Sequence, residues 1–183
     1  GVSGTAELYE RLMSQEKDEK NNQHVMPLQI GDYVPDFIGQ STNGEIDFHA
    51  AIDGSWSLVY ICPRSFEAVA SSDLASLAKM SEEFTTKKVR RCAVCCDTIH
   101  SIEKWKKDIQ ELFDCQIDFP LVSDLDGHIA RDYGLVRYGE DTRKSLAVRA
   151  LIPASLLVLA DPDRRIQLIL QYSQTTGHNF EEL

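Results

Sequence analysis

Five thiols carry the most obvious chemistry in this chain: Cys62, Cys92, Cys95, Cys96 and Cys115. Cys92-Ala93-Val94-Cys95 has the CxxC spacing used for redox exchange and zinc binding. It lies inside residues 89–96, however, an apolar run that reads as a buried strand. Three strand residues set the two Cα atoms about 10 Å apart and point the side chains to opposite faces, too far for a bridge. These cysteines are therefore expected to be buried small apolar side chains. Cys62 differs because it closes a second apolar run, 56–62, immediately before Pro63. A thiol there could face a pocket, but no basic residue is obviously placed in the sequence to activate it.

An odd number of cysteines at spacings that fit no disulfide scaffold favours a reducing compartment, so a cytoplasmic protein is expected. Gly1-Val2-Ser3-Gly4 reads as a cloning remnant rather than a targeting signal. Nineteen basic residues against 29 acidic ones leave a formal net charge of −10. That charge repels phosphate backbones, so no nucleic-acid partner is expected. No run approaches the roughly 18 apolar residues of a membrane span, so integral membrane association is not expected either. Nothing in the chain calls for a cofactor or a metal. Its 183 residues suit one domain with short extensions.

The elements that must position these side chains follow from periodicity. Residues 5–22 carry Leu8, Leu12 and Met13 on one helical stripe before dissolving into charge, which predicts an N-terminal arm over 1–27 that either docks on its own domain or binds another chain. Strands over 36–40 and 45–49 flank Asn43-Gly44, a hairpin turn pair. Strand 56–62, helix 73–84, strand 89–96, a helix capped by Asp97 or Thr98 and running to about 113, strand 119–123 and a short helix over 129–133 follow. Residues 137–144 read as a surface loop. Strands 156–159 and 165–172 are joined by Asp161-Pro162-Asp163-Arg164. At 179–182 a helix begins and is cut off, which suggests that the native protein continues past Leu183. This pattern predicts an α/β fold on a mixed sheet.

The order of elements resembles the thioredoxin-like fold as elaborated in peroxiredoxins. Gln29-Ile30-Gly31-Asp32-Tyr33-Val34-Pro35-Asp36-Phe37 is similar to that family's opening, and Pro63-Arg64-Ser65-Phe66 followed by Val69 to the start of its active-site loop. Asp161-Pro162-Asp163 and Thr175-Thr176-Gly177-His178-Asn179-Phe180 resemble the one-Cys, peroxiredoxin-6-like subfamily in particular. The resemblance covers residues 28–183, a thioredoxin-fold domain, central mixed sheet flanked by helices, with an N-terminal hairpin.

The resemblance also locates a site, and the site is degenerate. Family members carry Pro, then Thr four residues on, then the peroxidatic Cys three residues after that; these places hold Pro63, Glu67 and Ala70. The family's distant arginine falls at Ser155. Peroxide cleavage needs a thiolate to attack one oxygen while donors stabilise charge on the other. A methyl group cannot attack, a carboxylate at Glu67 repels a thiolate, and Ser155 removes a guanidinium that would lower the thiol pKa. An engineered Cys→Ala would account for Ala70 alone, not for Glu67 or Ser155.

The expectation is therefore a peroxiredoxin-like protein, inactive as a thiol peroxidase, acting as a dimeric or interaction scaffold. Two readings keep an activity. Cys62 occupies a position from which one-Cys relatives point a histidine at the pocket, so it could act as a relocated thiol in an antioxidant peroxidase, as could an engineered Ala70 in its native form. The subfamily is also associated with phospholipase A2 activity through a set that aligns with Ser55, His49 and Asp163, although Gly54-Ser55-Trp56-Ser57 lacks the trailing glycine of a nucleophile turn. The resemblance further implies a homodimer, for which strand 165–172 offers an edge where Ile166, Leu168 and Leu170 alternate with Gln167, Ile169 and Gln171.

Overall fold

The computed structural model describes residues 28–135 and 154–173. The N-terminal arm, the expected loop over 137–144 and the helix start at 179 lie outside the described residues. Seven strands form one sheet: β1 (Ile38–Ser41), β2 (Gly44–Asp47), β3 (Trp56–Cys62), β4 (Val89–Cys95), β5 (Leu121–Ser123), β6 (Ala154–Ala160) and β7 (Ile166–Ser173). Their spatial order is β2-β1-β5-β4-β3-β6-β7. β3, β4 and β5 run parallel at the centre, while β6, β7 and the β1–β2 hairpin pair antiparallel. β3 is buried from Ser57 to Cys62, which explains its continuous apolar run: a central parallel strand is covered on both faces.

Those two faces carry separate cores. Val59, Ile61, Cys92 and Val94 pack on one side with Phe37, Phe48, Ile129 and Tyr133. Leu58, Tyr60, Cys62 and Cys95 pack on the other with Leu74, Leu77, Trp105 and Ile109. The CxxC pair is thus split between opposite faces, as strand geometry required, and all five cysteines are free and buried. The helices are α1 (Phe48–Ala51), α2 (Ala68–Lys79), α3 (Ser81–Thr86), α4 (Ile99–Phe113) and α5 (His128–Asp132). None of the described helices is long and apolar enough to cross a membrane.

Several boundaries depart from the periodicity. The helix expected over 73–84 begins at Ala68 and breaks at Met80, where α3 starts. Only its middle carried an apolar stripe; the small residues of its first turn gave none. His49 does not end a strand. Asp47 accepts a hydrogen bond from the Ala50 amide and caps the helical turn α1, which contains His49. The hairpin pairs Ser41 with Gly44, so Thr42 and Asn43 are the turn residues and Gly44 alone takes the left-handed backbone, at φ 93°. Thr98 caps α4 by accepting from the Ser101 amide.

The alternation expected along β7 is also interrupted. Leu159 pairs with Leu168 but Ala160 pairs with Ile166, a bulge that places one extra residue in β7. Ile166 and Ile169 therefore share one core, while Leu170 packs with the other. β7 lies at the end of the strand order, and its first residue is covered by the Gly31 amide and Asp32 carbonyl, which bond Ile166 at 2.8 and 2.9 Å.

Candidate active site at the head of helix α2

Residues 62–70 leave the C-terminal end of β3 and enter α2. Pro63 is buried directly after Cys62. The buried Ser65 hydroxyl donates to Asp97 Oδ2 at 2.5 Å, tying the loop to the segment after β4. Phe66 takes a left-handed φ of 62° and sets its half-exposed ring 6.5 Å from that of Trp105. Glu67 is the N-cap of α2, with extended backbone and no side-chain cap bond; its Oε1 instead accepts from Arg64 Nε at 2.6 Å. Part of the negative charge expected to repel a thiolate is therefore matched by Arg64. Ala70 follows in the first turn of α2 and is 3% exposed. A helix N-terminus favours a thiolate, so the backbone keeps a setting for a nucleophile and the side chain supplies a methyl group.

Ser155 is brought toward the same helix through residues that sequence reasoning missed. It stands on β6, 4% exposed, near the Tyr60 hydroxyl on β3, whose pKa it acts to lower. Tyr60 in turn donates to Asp73 Oδ2 at 2.8 Å, and Asp73 lies one turn beyond Ala70 on α2. Burial above all, and then the neighbouring Cys62 and Asp73, push the Tyr60 pKa well above its ordinary value, so it remains a neutral donor. Tyr60 was masked by an apolar strand and Asp73 by its place at an expected helix start. A charged residue at the edge of an apolar stripe was the only available signal.

Cys62 is 1% exposed, with its thiol 3.6 Å from the Val94 carbonyl. Its in-register neighbour across β3 and β4 is Cys95, whose pKa is raised well above the ordinary thiol value by burial and then by Cys62. Burial alone lifts Cys92 to about 12.

Ser55, His49 and Asp163 are not joined by hydrogen bonds. His49 Nε2 lies 2.7 Å from the Val34 carbonyl, so that nitrogen carries the proton, and Nδ1 is 3.8 Å from Asp36. The Ser55 hydroxyl makes no hydrogen bond among the described residues. Asp163 is exposed in its turn, where its amide donates to Asp161. The neighbouring Arg164, rather than Asp163, reaches the His49 carbonyl at 3.2 Å.

Asp124, Asp126 and His128 present ligand atoms within 4.8 Å of one another. Asp124 is already used: its two oxygens accept from the Ile129 and Ala130 amides at the start of α5, while His128 pairs with Asp126 at 2.6 Å. Helix capping accounts for the cluster.

Residues 30–168 match the AhpC/TSA family, and the chain belongs to it. Within that family it is similar to one-Cys proteins. It is 31% identical over 156 residues to 1-Cys peroxiredoxin of Dictyostelium discoideum, covering 85% of this chain and 61% of that protein. It is 30% identical over 161 residues to peroxiredoxin-6 of Homo sapiens, covering 85% and 70%. A solved yeast mitochondrial 1-Cys peroxiredoxin superposes with a TM-score of 0.73 at 27% identity, covering 85% of this chain and 72% of that one. The fold is thus thioredoxin-like in its peroxiredoxin form, on the one-Cys branch that the sequence motifs indicated.

Proposed function

We propose that this protein is a one-Cys peroxiredoxin relative that does not reduce peroxide at the inherited position and serves as a dimeric or interaction scaffold. The observation that carries this reading is Ala70, a buried methyl group in the first turn of α2 where the chemistry requires a thiolate. Ser155 supports it from a second element. In place of a guanidinium, a hydroxyl stands near Tyr60, which itself bonds the carboxylate of Asp73, so a neutral group and an acidic one stand where a cation would serve a reacting anion. The loop is braced by Ser65–Asp97, Arg64–Glu67 and Phe66–Trp105 contacts that need no substrate.

A dimer would use the edge of β7 beyond the part covered by Gly31 and Asp32. Light scattering of the full-length protein at high micromolar concentration is expected to give a dimer, and a monomer throughout would remove that element. Peroxide consumption with excess thiol reductant is expected to stay at the background of unactivated thiols. Sustained turnover abolished by Cys62→Ser would overturn the reading in favour of a relocated thiol. Phospholipid turnover abolished by Ser55→Ala would overturn it in favour of a hydrolase.

A further inference from the structure

A cavity of about 310 Å³ opens at the other end of the strands, lined by the β1–β2 turn, α1, the start of β4 and the segment before β5. Six strand steps from Val89 to Cys95 put it roughly 20 Å from the Cys62 end of the sheet. Its apolar lining includes Ile46, Phe48, Ile52 and Cys92, the last a neutral thiol at about 12. Its polar lining includes Asn43 and Thr85.

Two guanidinium groups line it, and they differ in what they already hold. Arg91 is fully engaged. It donates to the Leu77 carbonyl at 2.7 Å and to both oxygens of Asp118 at 2.8 and 2.9 Å, between the rings of Phe84 and Phe119. Arg90, exposed beside it, has no hydrogen bond and no ion pair among the described residues. Because Arg91 matches Asp118, the cavity keeps one uncompensated positive charge in a chain of formal net charge −10. The in-register neighbour of Arg90 on β3 is Ser57, whose buried hydroxyl has no hydrogen-bond partner among the described residues.

We infer that this cavity binds a small organic carboxylate with a compact apolar body, its carboxylate on Arg90 and its body against Phe48 and Ile52. One free planar fork matches one planar carboxylate in a bidentate pair. A phosphate dianion would bring a second charge that Arg91 is not free to meet and that Asp118 would repel. The volume lies at the small end of ligand pockets, which run from about 300 to 1,000 Å³.

The test uses the full chain and three probes at fixed ionic strength: benzoate, its neutral analogue benzamide, and inorganic phosphate. Amide chemical-shift mapping with benzoate is expected to saturate and to centre on Asn43, Phe48, Arg90 and Cys92. Arg90→Gln should weaken benzoate about tenfold or more, and Ala51→Trp, which fills the cavity from an exposed position, should abolish binding while leaving the unfolding midpoint in place. Benzamide binding as tightly as benzoate, phosphate binding more tightly, shifts centred elsewhere, or an unchanged Arg90→Gln affinity would each overturn the inference. None of these outcomes depends on whether the α2 site reduces peroxide.

Discussion

The Tyr60 hydroxyl donates to Asp73 at 2.8 Å, joining the centre of the sheet to the helix that carries Ala70 in its first turn. Asp73 lies one turn beyond Ala70, so this bond bears on any attempt to place a thiol at position 70.

Restoring the nucleophile alone is expected to fail. In a Cys62→Ser background, Ala70→Cys should react with peroxide near the rate of an unactivated thiol, because Ser155 offers a hydroxyl rather than a guanidinium, a loss that costs about 10²-fold or more. The triple change Ala70→Cys, Glu67→Thr, Ser155→Arg should be faster. Glu67→Thr should contribute least, since Arg64 already matches that carboxylate. Adding Asp73→Asn should raise the rate again, because Asp73 would otherwise compete for the new guanidinium. Stopped-flow peroxide reduction ranks the three proteins; a fast single mutant would show Ala70 to be the only lesion.

Tyr60→Phe should destabilise the fold by about 2 kcal/mol, the value of a buried hydrogen bond to a charged acceptor. Ser155→Ala should cost less. The two should be non-additive, because the Tyr60 and Ser155 hydroxyls are neighbours in one buried cluster. Urea unfolding of the two single variants and the double variant closes the cycle, and strict additivity would mean that the network is not coupled.

Acid should weaken the contact between β4 and the segment before β5. Burial acts to raise the Asp118 pKa, but the Ser81 hydroxyl and the Arg91 guanidinium outweigh it and hold the carboxylate below its ordinary value. A depressed folded pKa contributes stability above the unfolded value, near 4, and loses it as pH falls through the folded one. Asp118→Asn should therefore lower the urea midpoint at pH 7 and converge with the parent protein toward pH 2.

Gly39→Ala should loosen the hairpin. A Cβ there would meet Val122 Cγ1 at 2.8 Å, so β1 or the Val122 side chain must shift, at about 1–3 kcal/mol. Hydrogen exchange of β1 amides faster than those of β3 in this variant is the expected signature.

The strands were legible because β3 and β4 are apolar on both faces, and the proposed site positions were assigned from the spacing of Pro63 and Asp161-Pro162-Asp163. What sequence could not supply depends on contacts across elements. The Asp47 cap turned His49 into a helix, the bulge in β7 reversed the facing of Leu168 and Leu170, and Arg64 neutralised part of Glu67. Tyr60 and Asp73 meet across 13 residues only because β3 and α2 pack together. No periodicity encodes such a pair.

The partition of the thiols between the two cores makes the protein its own reporter of opening. A membrane-impermeant alkylating reagent has almost nothing to react with in the closed fold, since Cys62, Cys92, Cys95 and Cys96 are each less than 5% exposed. Labelling must wait for a layer to part. Cys62 and Cys95 would record the release of α2 and α4 from one face, whereas Cys92 and Cys96 would record separation on the other, so the order of modification by mass spectrometry reads out which side of the sheet breathes first.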